Sequence, residues 1–201
     1  MTKSEKTTAI VTGSSRGVGA ATAIKLASKG WNVTITCSSS EKEAIEVSEE
    51  CKNLGGDTLV IKSDVSEEKK CKDVVDQTIK KWGRLDALVN NAGTTKFNAH
   101  ETLSGLTSED FLRIYSLNTV GTYMMLKEAQ SYLLESSNPS VVNIGSIAGV
   151  TGIGSSIAYA SSKGALLNMT KSLARALGPI RVNAICPGFI PVSYTHLTLP
   201  T

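Results

Sequence analysis

The sequence lacks several features that mark whole classes of protein. It has no run of about 18 apolar residues and no apolar signal-peptide core after Met1, so we expect a cytoplasmic protein without a membrane partner. Its two histidines and four cysteines show neither C-x-x-C nor zinc-type spacing, so we expect no metal site. We expect all four cysteines to be reduced, buried thiols: Cys37, Cys51, Cys71 and Cys186.

An excess of charge of one sign is also missing. The chain has 21 basic and 18 acidic residues, which give a formal net charge of +3. A nucleic-acid-binding domain normally clusters its Lys and Arg residues. Here the pairs Lys69–Lys70 and Lys80–Lys81 lie among acidic residues in a predicted helix. We therefore expect no nucleic-acid partner.

The sequence does contain a regular alternation of strand and helix patterns. Strands are predicted at Thr7–Thr12, Asn32–Cys37, Thr58–Lys62, Asp86–Asn90, Ser140–Gly145 and Ile180–Ile185. Helices are predicted from the first glycine-rich turn to about Lys29, and over Ser40–Leu54, Ser66–Trp82, Ser108–Leu134 and Ser156–Leu177. Such alternation, without a linker or repeat, predicts one α/β domain with a Rossmann-type, doubly wound parallel sheet in three layers.

A glycine-rich turn joins the first strand to the first helix. Residues 12–19 have the sequence T-G-S-S-R-G-V-G. Glycines allow a positive φ and let a pyrophosphate approach the main chain, and the helix behind the turn offers free N–H groups to that anion. We expect the following residues to contact a dinucleotide cofactor: Gly13, Ser15, Arg16, Gly17, Val18 and Gly19.

The same turn also satisfies a different motif. Gly13–Gly17 fits G-x-S-x-G, the nucleophile elbow of α/β hydrolases, with Ser15 as the nucleophile. That elbow normally comes several strands into the sheet and needs a later histidine. Only His100, in a polar loop, and His196, near the end of the chain, are available. A hydrolase is therefore a distant alternative.

Further motifs follow in a fixed order along the chain. They are Asn90-Asn91-Ala92-Gly93, Ser146, Tyr159-x-x-x-Lys163 and Pro187-Gly188. Together with the glycine-rich turn, they resemble the short-chain dehydrogenase/reductase family from about Thr7 to Ile190. The sequence between them is most similar to bacterial 3-oxoacyl-(acyl-carrier-protein) reductases. The resemblance implies hydride transfer between a nicotinamide and a carbonyl or secondary alcohol.

The pair Tyr159 and Lys163 suits the proton transfer that accompanies hydride transfer. A tyrosine hydroxyl has an ordinary pKa near ~10, and a neighbouring cation favours the phenolate. Residues at i and i+4 share one helix face, so Lys163 can lie near Tyr159. Ser146 follows the fifth strand, where its hydroxyl can hold the substrate oxygen.

The resemblance implies roles for several other residues. Asn118 matches a helix Asn that holds a water in the proton relay, and Lys163 would also bind the nicotinamide ribose. Asp64 matches an adenine-contacting Asp, although capping a loop is an equally good reading. For Asn91, a purely structural role is nearly as good a reading as a cofactor contact. The remaining cofactor contacts implied by the motifs are Val65, Asn91, Ala92, Gly93, Pro187, Gly188 and Ile190, together with Tyr159 and Lys163.

The end of the second strand favours NADP(H) over NAD(H). NAD enzymes place an acidic residue there, hydrogen-bonded to the ribose 2′-hydroxyl. In this chain Cys37 is followed by Ser38, Ser39 and Ser40, and the first carboxylate is Glu41. Ser38 is expected to contact a 2′-phosphate, and Arg16 can supply the positive charge.

The family pattern stops after Ile190. Val192 stands where the family usually has Thr, and residues 192–201 match neither the substrate-covering helices nor the last strand of the family. We therefore expect an incomplete cofactor-binding domain over residues 1–191 and a tail of doubtful origin over 192–201. A nicotinamide-binding module that is inactive through truncation is a second alternative. The full-length form is expected to be a homodimer or homotetramer.

Overall fold

A computed structural model describes residues 4–190 and contains one six-stranded parallel sheet. The strands are β1 Thr8–Val11, β2 Asn32–Cys37, β3 Thr58–Lys62, β4 Ala87–Asn90, β5 Ser140–Ile144 and β6 Arg181–Ile185. Their order in the sheet is β3-β2-β1-β4-β5-β6, and each pair is parallel. The predicted doubly wound sheet is confirmed, with strand bounds within a residue of those predicted. The tail with Val192 and His196 lies outside the described residues.

Helices cover both faces of this sheet. They are α1 Gly17–Ala27, α2 Glu41–Asn53, α3 Glu68–Trp82, α4 Ser108–Tyr115, α5 Thr122–Leu134, α6 Ala148–Thr151 and α7 Ile157–Ala176. A π-helical turn, Ser116–Gly121, joins α4 to α5, and Leu103–Gly105 form one 3₁₀ turn. Helices α1 and α2 pack together, as do α3 and α5, while α7 packs on β6. The structure therefore has three layers.

Each face of the sheet has its own apolar core. One core joins Ile10, Leu88 and Val141 of the strands to residues such as Val74 of α3 and Leu126 of α5. The other joins Val11, Val33 and Val89 to the alanines Ala23 and Ala27 of α1. Strands buried on both faces form apolar runs rather than alternating patterns. The small side chains of α1 let that helix lie close to the sheet, directly behind the glycine-rich turn.

The structure corrects several local predictions. The predicted helix Ser108–Leu134 is interrupted by the π-helical turn. Helix α3 begins at Glu68, two residues later than predicted, and Ser66 binds the carboxylate of Asp64 before it. Three cysteines are buried, but Cys186 is exposed, so the prediction for that residue is wrong. The helix predicted from Ser40 begins one residue later, at Glu41, and Ser40 stands at its N-cap without a side-chain cap bond.

Candidate active site

A large cavity opens at the carboxyl ends of the strands. Its volume is about 990 Å³, at the upper end of the range for small-molecule sites. It lies where the strand order reverses beside β1, since β1 pairs with β2 on one side and with β4 on the other. Ligands of open α/β sheets bind in the crevice at such a switch point. All the site residues predicted from the sequence line this cavity except Gly19 and Asn118.

The glycine-rich turn forms one wall of the cavity. Gly13 and Gly17 have φ values of +60° and +58°, a conformation that other residues rarely adopt. A Cβ on Gly13 would lie only 2.8 Å from the Cα of Ala92. The amino end of the eleven-residue helix α1 follows the turn, and no acidic side chain occupies its first turn. Free N–H groups and the helix dipole therefore favour an anion at this wall.

Partly buried hydrogen bonds fix the shape of the turn. The side-chain amide of Asn91 donates to the carbonyls of Thr12 and Gly13, both at 2.9 Å. The Thr12 hydroxyl accepts from the backbone N–H groups of Asn91 and Ala92, each at 3.0 Å. Gly19 lies against these hydrogen-bonded groups, because a Cβ there would overlap the Asn91 amide and lie 2.5 Å from the Gly13 carbonyl. Asn91 and Gly19 thus shape the turn from behind.

The end of β2 carries hydroxyls and a guanidinium. Arg16 is exposed and donates from Nη2 to the Ser40 hydroxyl, which brings its charge to the segment after β2. Ser38 is exposed at the same wall of the cavity. The nearest carboxylate in sequence, Glu41, lies 3.8 Å from the ammonium of Lys62. This arrangement can accept a phosphate more readily than a free ribose hydroxyl.

Asp64 and Val65 follow β3 at the far end of the cavity. The Asp64 carboxylate accepts from the backbone N–H and the hydroxyl of Ser66, at 3.0 and 2.7 Å. It therefore closes a loop, as the structural reading of this residue predicts, while its exposed side still lines the cavity. Val65 is buried in the apolar core, and its carbonyl accepts from the thiol of Cys71.

Tyr159 and Lys163 lie one turn apart on α7. The Ser156 hydroxyl caps this helix by accepting from the N–H of Tyr159. Lys163 is only 4% exposed, and its Nζ donates to the carbonyl of Ile144 at 2.7 Å. Burial lowers the pKa of Lys163 to about 8. Nζ lies 5.8 Å from the centroid of the Tyr159 ring, so a cation and a phenol share one wall of the cavity.

Asn118 lies behind this wall, in the π-helical turn. It is fully buried, and its Oδ1 accepts from the N–H of Thr94 at 2.8 Å. Its Nδ2 donates to the carbonyl of Thr94 and to the hydroxyl of Ser162, both at 3.0 Å. Ser162 in turn donates to the Tyr159 carbonyl. The side chain of Asn118 thus links the loop after β4 to the turn of α7 that carries Tyr159 and Lys163.

Ser146 follows β5 and faces the same cavity. Its hydroxyl accepts from the N–H of Ala148 at 3.1 Å, which leaves the hydroxyl proton available to another acceptor. The next residue, Ile147, donates its N–H to the carbonyl of Pro187 at 3.0 Å. This bond holds the segment Pro187–Gly188 beside Ser146.

Two loops at the mouth of the cavity were not predicted from the sequence to be part of the site. The Thr95 hydroxyl lies 2.6 Å from the Ser155 hydroxyl, and the Asn98 N–H donates to the Ser155 carbonyl. These bonds join the loop after β4 to the loop before α7. Phe97 and Ile153 project from these loops and line the cavity. The signal available in the sequence was that both apolar residues stand among polar loop residues.

The hydrolase alternative requires a histidine that can act as the base for Ser15. Among residues 4–190 the one imidazole belongs to His100, and its Nε2 lies 3.0 Å from the carbonyl of Gly154. Ser15 is buried in the glycine-rich turn. In the same part of the chain, no three His, Cys, Asp or Glu residues cluster as metal ligands would. None of the helices described is long and apolar enough to cross a membrane.

Comparisons with known proteins agree with this geometry. The profile of the short chain dehydrogenase family matches residues 7–198. A protein named as ketoacyl reductase 2 of the granaticin polyketide synthase of Streptomyces violaceoruber is 41% identical over 96% of this chain and 76% of its own length. The 3-oxoacyl-[acyl-carrier-protein] reductase FabG of Staphylococcus aureus is 34% identical over 94% of the chain and 75% of its own length.

Solved structures give the same result. A protein described as a short-chain dehydrogenase/reductase from Burkholderia xenovorans superposes with a TM-score of 0.93 at 41% identity, over 95% of this chain and 80% of that one. NAD+-bound xylitol dehydrogenase superposes with a TM-score of 0.83 at 32% identity, over 90% of this chain and 70% of that one. The chain therefore belongs to the short-chain dehydrogenase family, whose members are oxidoreductases that bind a nicotinamide cofactor.

Proposed function

We propose that this protein is an NADP(H)-dependent oxidoreductase that interconverts a carbonyl compound and a secondary alcohol, with Tyr159 as the general acid and base. The observation that best supports this proposal is the placement of Tyr159 beside the buried Lys163, on the wall of a cavity that begins at the glycine-rich turn. The nicotinamide, when bound, supplies or accepts the hydride. The protein must then move one proton at the substrate oxygen.

The residues present fit such a cofactor. Gly13 and Gly17 leave room for a pyrophosphate against the main chain, and α1 offers it a positive dipole end. We propose that Ser15, Arg16, Val18 and Ser38 bind the phosphates, and that Asp64 and Val65 border the adenine. Contacts to the riboses and nicotinamide are proposed for Asn91, Ala92, Gly93, Tyr159, Lys163, Pro187, Gly188 and Ile190.

Lys163 supports the reaction in three ways. Its ammonium favours the phenolate of Tyr159, which eases transfer of the phenolic proton to the substrate oxygen during reduction. One N–H of Nζ is used by the Ile144 carbonyl, so the other two can reach a ribose hydroxyl. Because burial has lowered its pKa to about 8, this group can also exchange a proton near neutral pH.

Ser146 and Asn118 complete the proposed site. The Ser146 hydroxyl can donate to the substrate oxygen, where negative charge develops during reduction. Asn118 was expected to hold a water of a proton relay. Its side-chain bonds to Thr94 and Ser162 support an additional positioning role, because they fix the helix turn between Tyr159 and Lys163.

The preference for NADP(H) rests on the end of β2. Arg16 reaches Ser40, Ser38 is exposed, and Glu41 lies beside Lys62. A 2′-phosphate would meet a guanidinium and hydroxyls there instead of a carboxylate. We further propose that residues 1–191 form one cofactor-binding domain of a cytoplasmic homodimer or homotetramer, and that 3-oxoacyl thioesters are among the carbonyl substrates to test.

The test compares the protein with its Tyr159→Phe variant. With NADPH and a panel of ketones and 3-oxoacyl thioesters, we expect turnover by the parent protein and a loss of about 10²–10⁴-fold in the variant. NADPH binding, measured by fluorescence, should change far less than turnover, because phenylalanine keeps the packing of the ring and removes only one hydroxyl. Equal turnover by both proteins would contradict the role of Tyr159. Binding of NADPH without turnover of any substrate would instead support the inactive-module alternative.

A further inference from the structure

We infer that the substrate carries an alkyl or aryl group next to its reacting carbon, rather than a polyhydroxy or charged chain. This inference rests on the proposed function, because Ser146 and Tyr159 mark the position of the reacting oxygen. It depends on the side chains that surround these two residues at the mouth of the cavity.

Large apolar side chains at the mouth are exposed to solvent. Phe97 and Ile153 are 72% and 76% exposed, and Ile147 and Phe189 are 49% and 54% exposed. All four line the same cavity as Ser146 and Tyr159. A cluster of exposed apolar side chains on a folded domain usually marks a surface that another apolar group covers. Here that surface continues from the wall that holds the reacting groups.

Hydrogen bonds hold this apolar rim beside Tyr159. The Asn98 N–H donates to the Ser155 carbonyl, and His100 Nε2 lies 3.0 Å from the Gly154 carbonyl. Gly154 itself packs on the tyrosine, since a Cβ there would lie 3.5 Å from Tyr159 Cδ1. The segments that carry Phe97 and Ile153 are thus joined next to the proposed proton donor. A substrate whose oxygen reaches Tyr159 must place its remaining atoms against them.

Polar recognition groups are scarce at this rim. Of the described residues that line the cavity, the charged ones are Arg16, Asp64 and Lys163. Arg16 lies at the N-cap of α1, Asp64 follows β3, and Lys163 is buried with Nζ on the Ile144 carbonyl. The hydroxyls of Thr95 and Ser155 lie 2.6 Å apart and bind each other. A polyhydroxy substrate would gain few hydrogen bonds from the protein at this rim to offset the water that its hydroxyls lose, whereas an alkyl chain gains by burial.

The experiment measures kcat/KM of the full chain with NADPH for two sets of ketones. One set is methyl ketones of increasing alkyl length, from butanone to octanone, and the other is dihydroxyacetone and the carboxylate levulinate. We expect kcat/KM to rise by roughly two- to four-fold per added methylene until the rim is covered. Dihydroxyacetone and levulinate should be poor substrates. A preference for either of them over hexanone would overturn the inference while leaving the proposed function in place.

A matched pair of variants tests the rim directly. Ile153 lines the cavity, whereas Val150 is also apolar, 68% exposed and close in sequence, but does not line it. Ile153→Asn should lower kcat/KM for octanone by roughly three- to ten-fold. Butanone kinetics should be nearly unchanged, and Val150→Asn should change neither. Equal effects of the two variants would overturn the inference. Binding of NADPH without turnover of any ketone would overturn the proposed function, and this inference with it.

Discussion

At the catalytic end of the cavity, Lys163 in the wall and Asn118 behind it are 4% and 0% exposed and form hydrogen bonds within the protein. At its mouth, Phe97 and Ile153 are 72% and 76% exposed. Groups fixed by a surrounding shell are suited to chemistry that needs fixed geometry, whereas exposed side chains can adapt to a ligand. Changes at the catalytic end should therefore alter both stability and rate. Changes at the mouth should alter substrate preference alone.

The largest effect is expected for Lys163→Met, which removes the buried cation but keeps much of the side-chain volume. Turnover should fall by about 10²-fold or more, because Tyr159 loses the charge that favours its phenolate. The free energy of unfolding near neutral pH should nevertheless rise by roughly 1–2 kcal/mol, because a buried ammonium is costly. The control is Lys171→Met, an exposed lysine of the same helix, which should change neither. A less stable Lys163→Met would contradict this account of burial.

The next effect concerns the shape of the phosphate turn. In Gly19→Ala the new methyl group would overlap the Asn91 amide and the Gly13 carbonyl. The turn must then shift, and we expect NADPH to bind at least ten-fold more weakly, by roughly 1.4 kcal/mol or more. Gly164→Ala is the matched control, because it is also helical and its new Cβ would lie 3.4 Å from the nearest atom, the Gly149 carbonyl. Equal NADPH affinities in titrations of the two variants would mean that the turn tolerates a side chain.

A smaller effect distinguishes the two nicotinamide cofactors. Arg16→Ala removes the guanidinium that reaches the segment after β2. Because a charge-assisted bond to phosphate contributes about 1.5–3 kcal/mol, KM for NADPH should rise by roughly ten-fold or more. KM for NADH should change little. Arg113→Ala provides a control, since that arginine contacts Thr94 and Asp110 instead. An equal rise in both KM values for Arg16→Ala would contradict the preference for NADP(H).

The smallest effect is the pH dependence of stability at the catalytic end. The folded-state pKa of Lys163 is about 8, below its ordinary value of 10.5, so the unfolded chain binds more protons between these limits. Burial of Lys163 therefore destabilises the folded protein fully below about pH 8, and this cost falls as pH rises toward 10.5. The advantage of Lys163→Met over the parent protein should shrink by about 1–2 kcal/mol between about pH 7 and about pH 9.5, as measured by urea unfolding. A constant difference would indicate an unshifted lysine.

The sequence alone determined the fold class, the strand bounds to within a residue and most of the cavity wall, because these depend on local patterns. Apolar runs predict buried strands, glycines mark the turn, and the i, i+4 spacing brings Tyr159 and Lys163 to one wall. The interrupted helix was not predictable in this way. Its π-helical turn coincides with bonds from Asn118 to Thr94 and Ser162, which are distant in sequence.

Only the tertiary structure decided how the loops meet. Thr95 and Ser155 are sixty positions apart, yet their contact forms the mouth of the cavity beside Tyr159. It also assigned Asn91 and Gly19 to shaping the phosphate turn from behind, and showed Asp64 closing a loop. Periodicity and motif spacing describe neighbours within one element. The environment of a side chain depends on contacts between elements, which the fold alone brings together.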